Sequence, residues 1–198
     1  LFKSLGMRML ASYTTGGSVE ALKRSGEAEV NLVLRREAIP AAEWMEAAYG
    51  IPYLYGAPYG YAGTLAWISD IAKLLKRQPN QEYIQSMEDR QSLCRQAARK
   101  VSRLRRGIPQ TSLFGSYDRI RGLAQFLEKE LQIQPSVVCC THSGSFDGMV
   151  FKTEQERIDC IRALNRQFIL AGDEVFSLCN NSNYFVRIAG PLLAGSDL

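Results

Sequence analysis

At 198 residues, with 46% hydrophobic and 22% charged side chains, the chain has the composition of a globular protein able to bury one large or two small cores. Its net charge of +4 is mild and calls for neither nucleic acid nor an acidic partner. No apolar run approaches the roughly 20 residues that a membrane helix needs. No charged-then-apolar leader stands at the start. The five cysteines (Cys94, Cys139, Cys140, Cys160 and Cys179) are scattered without a C-x-x-C pair, which suits free thiols in a reducing cytosol.

In chain order, Arg8–Ser12 reads as a short strand closed by the polar turn Tyr13-Thr14-Thr15-Gly16-Gly17. Ser18 is placed to cap a helix, with Glu20 in its first turn where the helix dipole favours a carboxylate. The apolar run Val30–Leu34 suits a strand buried on both faces. Pro40 opens a second helix that Gly50 stops, and Ile51-Pro52-Tyr53-Leu54 resumes an extended strand. Leu65, Ile68, Ile71, Ala72 and Leu75 recur at helical spacing over Tyr61–Lys76. After the break at Gln78-Pro79-Asn80, a long helix is expected over Gln81–Arg106, stopped by Gly107-Ile108-Pro109.

The second half repeats this grammar. Thr111–Phe114 reads as a strand that Gly115-Ser116 turns into a helix with Ile120, Leu123, Ala124, Leu127 and Leu131 on its core face. Ser136–Cys140 is a buried strand followed by the polar loop His142–Gly148. A helix over Thr153–Phe168, a strand over Glu174–Cys179 and a helix over Asn183–Ala189 complete the pattern, before Gly190-Pro191 opens another extended run. Strands alternating with helices imply an α/β protein of Rossmann-like, doubly wound parallel sheets. Two similar domains are expected, over 1–79 and 108–198, joined by the helix 80–107. A start at Leu1 and an end on a new strand point to a chain truncated at both ends.

Several residues stand where ligands approach such sheets. Thr15, Gly16 and Gly17 sit between a strand and a helix, as an anion loop would, although a tight turn needs the same small residues and no G-x-G-x-x-G or Walker pattern is present. Gly115 and Ser116 occupy the equivalent junction in the second half. Arg35 and Arg36 at the end of a buried strand suit a carboxylate-rich ligand, or else salt bridges to Glu37 or Glu43. Tyr59, among the tyrosines at 53, 55 and 61, suits a pocket wall or subunit packing. His142 is the single histidine, and with Cys140 it falls short of the four ligands of a structural zinc site. Cys139 and Cys140 point to opposite faces of their strand, so they cannot share one metal, and no metal site is expected. The basic run from Arg95 to Arg106 lies opposite an apolar stripe and matches no nucleic-acid recognition motif. No serine–histidine–acid triad can be assembled.

The strand–helix–strand–helix stretch Thr14–Lys76, with its Gly-Gly turn and its AAYG-IPYL and PYG transitions, resembles the nitrogenase component 1 type oxidoreductases. The resemblance is strongest over Gly16–Lys76, moderate over Leu113–Leu131 and thin over His142–Gly195. In the catalytic nitrogenase subunit the strand matching Asn31–Leu34 is followed by a cofactor-binding cysteine. The matched position here is Arg35, and an arginine cannot replace a thiolate on iron. The family's F-G-D-P pattern falls at Gly115, with Ser116 and Tyr117 in place of Asp-Pro. The resemblance implies an oxidoreductase subunit, other than a true nitrogenase, that walls an iron–sulfur or tetrapyrrole pocket at a domain or subunit interface. It also implies a homologous subunit and an ATP-dependent iron–sulfur reductase as partners, in the cytoplasm. The chain alone is expected to hold no cofactor and to be inactive. The alternatives are a scaffold or carrier for metallocofactor assembly, and a metal-free α/β module that binds a small molecule.

Overall fold

The computed structural model describes residues 6–13, 17–104, 110–140, 149–150 and 153–188. The chain separates into two compact units between Ser92 and Leu93.

In the first unit, β1 (Asn31–Val33) and β2 (Tyr53–Tyr55) form a two-stranded parallel sheet in the register Asn31↔Tyr53 and Val33↔Tyr55. Helix α1 (Val19–Lys23) begins at Ser18, whose Oγ accepts the Ala21 N–H at 3.1 Å. Helix α2 (Ile39–Tyr49) carries Pro40 in its first turn. It ends at Gly50, whose φ of 68° is the left-handed conformation that a helix stop requires. Helix α3 (Gly60–Leu74) lays Trp67, Ile68 and Ile71 on Leu32 and Leu54, and Met7, Tyr83 and Ile84 join the cluster. Alternate strand residues serve the other face, where Asn31 Nδ2 meets Met45 Sδ of α2 at 3.5 Å. Helix α4 (Gln81–Leu104) follows Asn80, whose side chain accepts the Tyr83 N–H at 3.0 Å. The unit division falls inside this helix.

In the second unit, β3 (Thr111–Gly115), β4 (Val137–Cys140), β5 (Met149–Val150), β6 (Phe168–Ala171) and β7 (Tyr184–Arg187) form one parallel sheet in the order β5-β4-β3-β6-β7. Helix α5 (Tyr117–Phe126) runs on through a π-turn at Leu127–Leu131, and α6 (Glu154–Ala163) and α7 (Asp173–Phe176) follow. Phe114, Cys139 and Ile169 face Ile161 of α6 and Val175 of α7. Their neighbours Leu113, Cys140 and Leu170 face the opposite way, toward Ile120 and Leu127. Apolar side chains therefore cover the sheet on both faces, as the near-continuous hydrophobic strands require. The architecture is α/β with parallel sheets.

Four expected elements differ. Residues 8–12 form no strand; Met7 packs beneath α3 instead, and a short run without a ladder partner gains too little to order as a strand. The helix expected to reach Phe168 ends at Ala163, and Arg166, with φ 52°, turns the chain into β6. Ladder bonds override the helical spacing there: Phe168 N–H donates to Gln110 O and Tyr184 N–H to Gln167 O, both at 2.8 Å. The strand expected over Glu174–Cys179 is α7 and a turn, and the helix expected over Asn183–Ala189 is β7 in its described part. The two-residue strand β5 has no counterpart in the sequence reading.

Candidate functional site

Ligands approach open parallel sheets at the carboxyl ends of the strands. In the first unit that edge gathers three of the expected residues. Arg35 lies two residues beyond β1 and its carbonyl accepts the Ala38 N–H at 3.0 Å, closing the short 3-10 turn Arg36–Ala38 that leads into α2. Tyr59 is the N-cap residue of α3, which starts beyond β2. Between them Gly56, at φ 134°, donates its N–H to Val33 O and accepts Trp67 Nε1–H at 3.0 Å, which pins the loop to the core.

This edge is electropositive by construction. Helices α2 and α3, of 11 and 15 residues, both begin here, and neither has a side-chain hydrogen bond at its N-cap. Their dipoles favour an anion, although at α2 the Ile39 N–H is taken by Arg36 O and Pro40 has none to offer. Arg35 is half-buried and forms no side-chain hydrogen bond or ion pair with the described residues. Neither Glu37 nor Glu43 neutralises it; Glu43 accepts the Tyr53 hydroxyl at 3.5 Å.

In the second unit the chain leaves β3 toward one sheet edge through β4 and returns to β6 to build the other. The reversal opens a crevice between β3 and β6, where such folds bind ligands. Gly115 and Ser116 stand on its β3 side. A Cβ at Gly115 would lie 3.3 Å from Ile120 Cγ2, so the junction is tight. Ser116 caps α5 by position only: its Oγ is buried and has no hydrogen-bond partner among the described residues. On the β6 side, Gly172 is overlain by the Glu174 carboxylate, and Asp173 pairs with Arg187 at 2.6 Å. Sequence reasoning missed this second wall, although Phe168–Val175 (FILAGDEV) repeats the strand–glycine–acid grammar of Thr111–Asp118 (TSLFGSYD).

Gly17 lies where a Cβ would collide with the Ser12 carbonyl oxygen, and no strand is formed by residues 8–12 before it. Thr15, Gly16 and His142 lie outside the described residues.

The described residues do not fit direct ligation of an iron–sulfur cluster. Cys139 and Cys140 are buried on opposite faces of the sheet. Burial pushes the Cys139 thiol up to about 12, and it also raises Cys160 and Cys179, so these thiols keep their protons near neutral pH. No group of three or more His, Cys, Asp or Glu side chains among the described residues could hold a metal ion. Nor is any described helix long and apolar enough to cross a membrane.

A model of the nitrogenase component 1 type oxidoreductase family matches residues 1–168. The nitrogenase iron-molybdenum cofactor biosynthesis protein NifE of Methanosarcina barkeri is 33% identical over 78 residues, which are 39% of this chain and 15% of that protein. Among solved structures, nitrogenase Cp1 at pH 6.5 aligns with a TM-score of 0.68 at 18% identity, covering 95% of this chain and 45% of that one. Nitrogenase Cp1 at pH 5 aligns with a TM-score of 0.56 at 19% identity, covering 76% and 30%. At these identities the structures carry the fold, and the chain spans less than half the length of each of these proteins.

Proposed function

The chain belongs to the nitrogenase component 1 type oxidoreductase family, and from that premise we propose that it forms one wall of a pocket for an anionic cofactor in a nitrogenase-like subunit. The carrying observation is Arg35, a half-buried guanidinium without an ion pair among the described residues, at a sheet edge where two helices begin without a side-chain cap. A guanidinium binds a carboxylate through two parallel hydrogen bonds, and the helix N-termini add N–H donors for a second acidic group. Tetrapyrroles and the organic acids of metallocofactors are both polycarboxylates. Arg36 and Tyr59 extend this wall, and Gly115 with Ser116 lines a second crevice in the other unit. These residues bind and orient.

Thiolate ligation is absent from this reading, so no electron-transfer step is assigned to the chain's own residues, and a true nitrogenase reaction is not proposed. In the full-length protein the pocket would lie at a domain or subunit interface beside a homologous subunit, in the cytoplasm, with electrons arriving from an ATP-driven iron–sulfur reductase. A second reading, a scaffold on which a metallocofactor is assembled or carried, is favoured by the similarity to a cofactor biosynthesis protein and by the arginine at the cysteine's matched position.

The test is iron, acid-labile sulfide and pigment analysis of the full-length protein purified without oxygen. Co-purifying iron and sulfide, or a tetrapyrrole, is expected. Absence of all three overturns both readings and leaves a metal-free α/β module. Reduction of the bound group by an ATP-driven reductase selects the oxidoreductase, and transfer of the group to an acceptor protein selects the scaffold.

A further inference from the structure

At the opposite edge of the first unit, the end of α3 and the start of α4 enclose a cleft of about 610 Å³. Its size is in the range of small-molecule sites, and every residue lining it belongs to this unit. Leu65, Ala72 and Ile84 are its apolar lining, and the exposed Lys73, Lys76 and Arg77 gather at the turn between the helices. Glu88 lies about two turns along α4 and sets the opposite sign at the far end. Two of the cations hold only exposed partners, Lys73 with Asp70 at 3.1 Å and Arg77 with Glu29 at 2.8 Å. Such exposed pairs exchange readily for a ligand.

Lys76 is the telling residue. It ends α3 in the left-handed conformation, φ 51°, with the Arg77 N–H bonded back to Ala72 O at 2.9 Å. Glycine adopts that position without strain, and a lysine there costs stability. The strained backbone holds this exposed cation in the lining of the cleft, where it makes no ion pair among the described residues. We propose that the α3–α4 cleft is a binding site for an organic phosphate monoester, its dianionic head held by Lys73, Lys76 and Arg77 and its apolar body lying along Leu65, Ala72 and Ile84.

The experiment titrates hexyl phosphate, inorganic phosphate and hexanoate into the full chain, followed by backbone amide shifts. Hexyl phosphate is expected to perturb amides of residues 65–88 and to bind at least about fivefold more tightly than either fragment, since each lacks the tail or the second charge. Lys76→Gly is expected to raise Tm by about 2–4 °C while weakening hexyl phosphate about fivefold. That pairing of greater stability with lost affinity separates the site from a folding defect. No shift with hexyl phosphate, equal binding of either fragment, or unchanged affinity in Lys76→Gly would overturn the proposal.

Discussion

Ser116 occupies the N-cap of α5, where a serine hydroxyl ordinarily accepts a first-turn N–H. Its buried Oγ has no such partner, and a buried polar atom left unmade costs free energy unless something else satisfies it. Arg35 is different: it is half-buried and carries a full charge without an ion pair among the described residues. Gly17 shows the opposite case, a residue whose role is steric. A Cβ there would meet the Ser12 carbonyl oxygen, part of the backbone and unable to swing aside. Gly17→Ala is therefore expected to lose about 1–3 kcal/mol of stability in urea denaturation, with no effect on ligand retention. A loss within about 0.5 kcal/mol would show that the backbone around Gly17 has room. At this scale Arg35 was legible, because two arginines closing an apolar run stand out in any sequence. The unsatisfied oxygen of Ser116 was not, because the string S-Y-D before an apolar helix face reads as an ordinary cap.

Among elements, the helices of the first unit followed from capping residues and apolar spacing: Ser18, Pro40 and Gly50 mark α1 and α2 within a residue or two. The failures sit in the last third of the chain. Ile158, Ile161, Leu164 and Phe168 recur at helical spacing, and only the empty place beside β3 turns Phe168 into a strand residue. Non-local pairing of that kind leaves no local mark. Its fastening does appear in the structure, as a polar clamp at the amino edge of the second sheet. The buried Ser112 Oγ–H donates to Gln167 Oε1 at 2.6 Å, Gln167 Nε2–H to Gln110 Oε1 at 3.1 Å, and the Gln167 N–H to Asn183 Oδ1 at 3.0 Å. Asn183 in turn donates to Leu164 O at 2.9 Å, tying the start of β7 to the end of α6. Gln167→Ala is expected to cost about 1–3 kcal/mol, because it strips the principal partner from a fully buried hydroxyl. Hydrogen exchange should locate the loss in β3, β6 and β7. Unchanged protection of those strands would mean that the clamp is ornamental to their pairing.

For the whole molecule, two parallel sheets each carry candidate residues at their carboxyl edges, and the proposal for the first of them is recognition of an anion. The family relation was legible in the Thr14–Lys76 stretch because its turns and strand ends are spaced in a characteristic way. The opening Gly-Gly turn gave the right family but the wrong local picture, since no strand precedes it among the described residues. The proposal turns on Arg35, which would hold a cofactor through its acidic groups. Cofactor retention after gel filtration without oxygen, compared among the wild type, Arg35→Lys and Arg35→Ala in the full-length protein, tests it most directly. The account predicts unchanged Tm in both variants, about tenfold weaker retention in Arg35→Ala, and an intermediate loss in Arg35→Lys, which keeps the charge without the two-pronged geometry. Wild-type retention by Arg35→Ala would contradict it.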